Sequence, residues 1–231
     1  MITLIESIES KICTLIESKI SIVGSKVIMA LTGACLTMFI LIHLLGNMQL
    51  YAGRDIFNSY PELLRNFPIS LWFARILLIF TFISHISMAV YLERKNKLSR
   101  IIQYNNELIP IGSSFASRTM LYSGFVIIAF VLFHLIHLTW KCFYVQNPNL
   151  DLYSLMIVSF RNPFITIFYI LAQISLFLHL SHGFSSAAQT LSLTRNKLAK
   201  NIRLFGFWFA FIVTILYISI PVSILLRVIH D

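Results

Sequence analysis

Five apolar stretches, residues 26–48, 70–92, 119–140, 163–186 and 204–228, constrain this chain more than any other feature. Each reaches the roughly 20 residues needed to cross a hydrocarbon layer of about 30 Å. A lone crossing segment satisfies its own N–H and C=O groups only as a helix, so five transmembrane helices are expected. Gly33, Gly124, Pro163 and Pro221 inside or beside these stretches do not argue otherwise, because spanning helices tolerate both residue types. Composition agrees: 58% of residues are hydrophobic and 12% charged, where a soluble domain is about one-quarter charged. The charges sit in short clusters between the apolar runs, which excludes a soluble core and a disordered chain together.

Lys and Arg placement sets the expected orientation. Lys11, Lys19, Lys26, Arg94, Lys95, Lys97, Arg100, Arg118, Arg195, Lys197, Lys200 and Arg203 fall on one side, against Arg54, Arg65, Arg75, Lys141, Arg161 and Arg227 on the other. Twelve against six puts the amino terminus in the cytoplasm and the carboxyl terminus outside. The net charge of +9 is then a topology signal. Nucleic-acid binding would need a basic, water-exposed domain, and no segment is long enough for one.

Residues 1–22 carry Glu6, Glu9 and Glu17 and lack the basic-then-apolar order of a cleavable signal peptide. Ile2, Leu4, Ile5, Ile8, Ile12, Leu15, Ile16 and Ile20 recur at helical spacing, the pattern of an amphipathic helix lying on the cytoplasmic surface. The transmembrane domain is read as 23–231. Cys13, Cys35 and Cys142 are far apart, with no CxxCH motif and no metal-knuckle spacing; they read as small hydrophobes.

Four of the five spans carry a histidine deep inside: His43, His85, His134 and His179. An ionisable side chain in lipid is costly, so a functional role is its default reading. His43 and His134 lie about seven residues, roughly 10 Å, from the outer edge. His85 and His179 lie a similar distance, roughly 10–12 Å, from the inner edge. The four sort into two layers with a pair in each. Two neutral imidazoles facing each other are what a six-coordinate haem iron requires, the porphyrin supplying the remaining ligands. Two layers imply two b-type haems stacked along the membrane normal.

An internal echo supports the pairing. Met29, Thr32, Gly33, Phe39, His43 and Leu44 match Met120, Ser123, Gly124, Phe130, His134 and Leu135 at a constant offset of 91, and His85-Ile-Ser matches His179-Leu-Ser at 94. Spans one–two and three–four therefore read as parallel repeats, with span five added. Gly33 and Gly124 each precede their histidine by ten residues, which places them roughly 15 Å deeper, at the inner level. There a missing side chain lets a flat macrocycle approach the backbone; ordinary small-residue packing accounts for them equally well.

His137 and His182 follow ligand candidates at i+3 and suit a haem propionate, a quinone or the polar boundary. Lys26 and Arg118, at inner span ends, suit inner-haem propionates. Arg75 suits the outer haem or, equally, snorkelling to the interface. A proton pump or transporter usually adds buried acids, and here the five spans contain no Asp or Glu apart from those at their ends. Zinc needs three or four ligands at one level. A cofactor-free transporter or assembly protein is the alternative class.

The segments KVIMALTGACLTMFILIHLLGNMQLYAG, FNSY, FASRTMLYSGFVIIAFVLFHLIH and HLSHGFSSAAQTL resemble the single-chain, dihaem cytochrome b subunit of succinate dehydrogenase and fumarate reductase over roughly residues 20–228. The most specific pieces are HLLGN from His43, SRTM from Ser117 and HLSHGF from His179. The resemblance implies an all-α membrane protein of five transmembrane helices, four of them a dihaem bundle, beside the amphipathic surface helix. It implies His43 and His134 as ligands of the outer haem, and His85 and His179 as ligands of the inner one. It also implies flavoprotein and iron–sulfur partner subunits, membrane quinone as substrate, and a bacterial-type cytoplasmic membrane. Some members carry Glu two residues before the inner ligand of span four, for transmembrane proton transfer; this chain has Phe177 there. Glu62 is the candidate acid for a quinone site.

Overall fold

The computed structural model describes residues 21–98, 118–140, 143, 150–192 and 198–229. The expected surface helix lies outside the described residues, apart from Ser21 and Ile22; so do Ser117, Cys13, Cys142 and His230. Within them the order is α1 (Ile22–Met48), a 3-10 turn (Gln49–Ala52), α2 (Arg54–Arg65) and α3 (Pro68–Leu98). Then come α4 (Met120–His134), a π turn (Leu135–Thr139), α5 (Leu152–Phe160), α6 (Pro163–Thr190) and α7 (Leu198–Leu225). There is no strand among the described residues. Helices α1, α3, α4 with its π turn, α6 and α7 are long and apolar enough to cross a membrane. Their flanks carry Ile76, Leu77, Phe80, Phe125, Leu132, Phe164 and Leu171 exposed, far more apolar surface than a water-soluble chain tolerates. This is the construction of a multi-pass membrane protein.

Local chemistry explains the helix ends. The Ser21 hydroxyl caps α1 by accepting from Gly24 N at 3.1 Å. Asn162 caps α6 through Phe164 N at 3.0 Å, with Pro163 in the first turn, where its missing N–H costs nothing. Beyond its apolar run α3 continues to Leu98, supported by a Lys97–Glu93 pair at 3.4 Å. Several hydroxyls inside the spans bond back to carbonyls of their own helix, as Thr37 does to Gly33 O at 2.8 Å and Ser175 to Leu171 O at 3.2 Å. Their polar atoms are thereby satisfied without water.

The closely packed pairs among the spanning helices are α1–α3, α1–α6, α1–α7, α4–α6 and α6–α7. Helices α1 and α6 are thus central, with α3 against the first, α4 against the second and α7 across both. At Gly206 of α7 an added Cβ would lie 2.9 Å from the Phe184 ring of α6, so the missing side chain sets that close approach. Leu44, Leu180, Ala210 and Val213 form the buried seam between α1, α6 and α7.

One end of the bundle is capped by α2 and α5, which the five apolar stretches left as plain loops. Helix α5 buries Tyr153, Met156, Ile157 and Phe160 in a cluster with Leu50, Phe57, Tyr169, Ile220 and Ile224. A polar knot joins the two cap helices. Asp151 caps α5 by accepting from Ser154 N at 3.1 Å, accepts from the Asn58 amide and lies 3.8 Å from Arg54. Asn58 in turn accepts from Tyr153 N at 3.0 Å. Burial alone would raise the Asp151 carboxyl pKa. The bonds from Ser154 and Asn58, with the Arg54 charge, outweigh burial and hold the pKa below the ordinary value.

The cap is therefore testable through Asp151→Ala in detergent-solubilised protein. Losing a helix N-cap costs about 1 kcal/mol, so the variant should melt earlier than wild type. A depressed carboxylate stabilises fully above its unfolded pKa of about 3.9, and that stabilisation is lost as pH falls through the lower folded value. The melting difference should accordingly be constant at neutral pH and shrink only on strong acidification.

Candidate functional site

The four span histidines meet as two couples. His43 of α1 and His134 of α4 have ring centres 5.9 Å apart with planes at 90°. His85 of α3 and His179 of α6 have ring centres 6.3 Å apart with planes at 63°. Each couple joins two helices that are not among the closely packed pairs, so the imidazoles reach across a gap rather than touching at a helix seam. The couples also stand at different heights. Thr32 and Gly33 of α1 touch His85, and His43 is ten residues beyond Gly33 on the same helix, a rise of roughly 15 Å.

The couple deeper below the cap has matched surroundings. His85 Nδ1 lies 3.1 Å from the Thr32 hydroxyl, and His179 Nδ1 lies 3.4 Å from the Ser123 hydroxyl. Both hydroxyls already spend their proton on a carbonyl: Thr32 donates to Ile28 O at 2.8 Å and Ser123 to Met120 O at 2.9 Å. Each hydroxyl oxygen is therefore the acceptor, and each imidazole donates from Nδ1. That tautomer leaves a lone pair on Nε2, the nitrogen a metal would take. A Cβ at Gly33 would stand 3.3 Å from His85 Cε1, and one at Gly124 would stand 3.7 Å from His179 Cε1. The two glycines thus make room for the imidazoles themselves.

The couple near the capped end is lined differently. Phe39 stacks on His43 at 5.4 Å and Phe130 lies 5.7 Å from His134. Tyr169 of α6, a residue the sequence reading missed, brings its hydroxyl to 3.3 Å from His134 Nδ1 and 2.9 Å from His137 Nδ1. His137 is fully buried on the π turn. Tyr217 of α7 lies 6.4 Å from His43 and donates to Ile40 O at 2.7 Å.

The remaining candidates spread outward. His182 is half-buried one turn beyond His179 and interacts with it electrostatically. Lys26 and Arg118 are exposed at the end opposite the cap, and Glu62 is exposed on α2. Arg75 is exposed with its guanidinium 5.1 Å over the Trp72 ring, the posture of an interfacial anchor. Phe177 packs against Phe207 and Phe211 of α7.

No three His, Cys, Asp or Glu side chains converge among the described residues as a self-sufficient metal cage. The donor set comes in twos, and its spacing fits an iron that takes its other ligands from a macrocycle. With imidazole–metal bonds of roughly 2 Å, two rings on opposite faces of one metal have centres about 6 Å apart. No protein-family model, curated protein or solved structure matches this chain.

The two glycines should respond differently to alanine. A helical Gly→Ala change gains up to about 1 kcal/mol of propensity where space allows. Gly124→Ala meets only ordinary contact and should hold or raise the melting temperature. Gly33→Ala must displace the His85 ring by a few tenths of an ångström and should melt below Gly124→Ala.

Proposed function

We propose that this chain is the membrane-anchoring, dihaem cytochrome b subunit of a succinate:quinone oxidoreductase, carrying electrons between an iron–sulfur subunit and membrane quinone. The observation that carries the haem reading is the geometry of the two couples. Their ring centres stand 5.9 and 6.3 Å apart at two heights, and at the deeper one hydroxyls hold each Nδ1 proton. The assignment to succinate oxidation or fumarate reduction rests on the resemblance of HLLGN, SRTM and HLSHGF, and so do the flavoprotein and iron–sulfur partners.

Haem, when bound, supplies one-electron chemistry at iron. The chain supplies the rest. His43 and His134 would hold one iron, and His85 and His179 the other. Thr32 and Ser123 fix the deeper imidazoles in the ligating tautomer and keep them from rotating. Phe39, Phe130 and the seam around Leu180 and Val213 keep water from the sites. Lys26 and Arg118, at the end opposite the cap, neutralise propionates, and His182 stands between them and the deeper couple. The Lys and Arg bias puts that end in the cytoplasm, where a soluble iron–sulfur subunit docks. Glu62, exposed on the cap, is the candidate acid at the quinone end.

Reduced-minus-oxidised difference spectra of membranes containing the chain test this directly, with a b-type band corresponding to two haems per chain expected. His85→Ala should remove one haem and leave the other. A cofactor-free transporter or assembly protein would show no such band, and retention of both haems by His85→Ala would refute the pairing.

A further inference from the structure

The repeat that relates the two halves holds at the deeper couple and breaks at the other. Thr32 answers Ser123, Gly33 answers Gly124, and both pairs perform the same service for His85 and His179. At the offset of 94, Tyr169 corresponds to Arg75; at the offset of 91, His137 corresponds to Gly46. Neither counterpart reproduces the contact. Arg75 turns outward over Trp72, and Gly46 faces the Tyr60 ring, 2.9 Å from where a Cβ would stand. His134 alone of its couple thus acquires a polar second layer, made of a buried phenol and a fully buried second imidazole.

A phenol has one proton and stands between two Nδ1 atoms, 3.3 Å from His134 and 2.9 Å from His137. It cannot donate to both, so one imidazole must donate to it. A His134 that offers Nε2 to a metal carries its proton on Nδ1 and is that donor. The shorter contact is then Tyr169 donating to His137 Nδ1. The three groups form a directed chain, His134 to Tyr169 to His137, across α4, α6 and the π turn.

We propose that Tyr169 is a positioning residue of the His43–His134 site, holding the His134 ring and, polarised by His137, raising the basicity of that ligand. This rests on the haem reading above. A more basic axial ligand favours the oxidised metal, so the chain lowers the reduction potential of this site and leaves the His85–His179 site unaffected. The two sites, near-equivalent by the internal repeat, are made inequivalent by one phenol and one imidazole.

The test is redox potentiometry of both haems in membranes holding the full complex, with the two potentials assigned by means of His85→Ala. Tyr169→Phe should keep both haems and raise the potential of the His43–His134 site. The shift should reach about tenfold in the oxidised-to-reduced ratio, about 59 mV for one electron. His137→Leu should raise the same potential, His137→Gln, which retains an acceptor, should restore it, and Tyr169→Phe with His137→Leu should shift it no further than Tyr169→Phe alone. Loss of only the His43–His134 haem in Tyr169→Phe also supports the proposal. Unchanged potentials, a shift at the other site, additive shifts or loss of both haems would overturn it. A wild-type complex without haem would instead overturn the reading beneath it.

Discussion

Three of the four span imidazoles have a hydroxyl against Nδ1, and at the His85–His179 level that bond organises the structure. For His85 and His179 the partner is a hydroxyl on a neighbouring helix, which itself is tied to its own backbone. The arrangement fixes how each helix is rotated. Thr32 and His43 are eleven residues apart on α1, as Ser123 and His134 are on α4, and eleven residues are close to three full turns. One face of each helix therefore offers a hydroxyl at one level and an imidazole at the other. Turning either helix to improve one contact would misplace the second, so the two levels lock each other.

Much of this was legible in the sequence because it depends on counting. Span length, the expected depth of His43, His85, His134 and His179, and the offsets of the repeat all follow from helical rise, and the structure sets the ring of His43 beside His134 and that of His85 beside His179. Tyr169 was not legible. A tyrosine in an apolar run reads as ordinary packing, and its role depends on a residue from another helix and on the π turn that carries His137. The repeat offered a clue, since it aligns Tyr169 with Arg75, two polar residues each ten positions before a span histidine. The cap was hidden for a different reason: α5 is too short to announce itself by periodicity, α2 is amphipathic rather than apolar and so escapes a search for spans, and their union depends on Asp151 and Asn58 meeting from distant segments.

The cap and the Tyr169 chain are parts of one device. Tyr169 packs at 4.8 Å against Phe160 of α5 and at 5.0 Å against Phe130 of α4. The residues that seal the end of the bundle are thus the same ones that immobilise the phenol. Hydrogen bonds in such surroundings are stronger than in water, and an unpaired group is correspondingly expensive. The bond between this tyrosine and a fully buried histidine is therefore stronger than the same bond would be in water.

Breaking the symmetry at only one level has a functional logic in the proposed cytochrome. Two sites with identical ligands and identical second layers would have nearly the same potential, and the relay would have no built-in bias. Changing the metal ligands would risk losing a cofactor. Changing the groups behind one ligand leaves the bis-imidazole set intact and tunes its electron donation instead. Because the tuning groups occupy repeat positions whose counterparts, Arg75 and Gly46, do not reproduce the contact, one site can be adjusted while Thr32 and Ser123 hold the other in place.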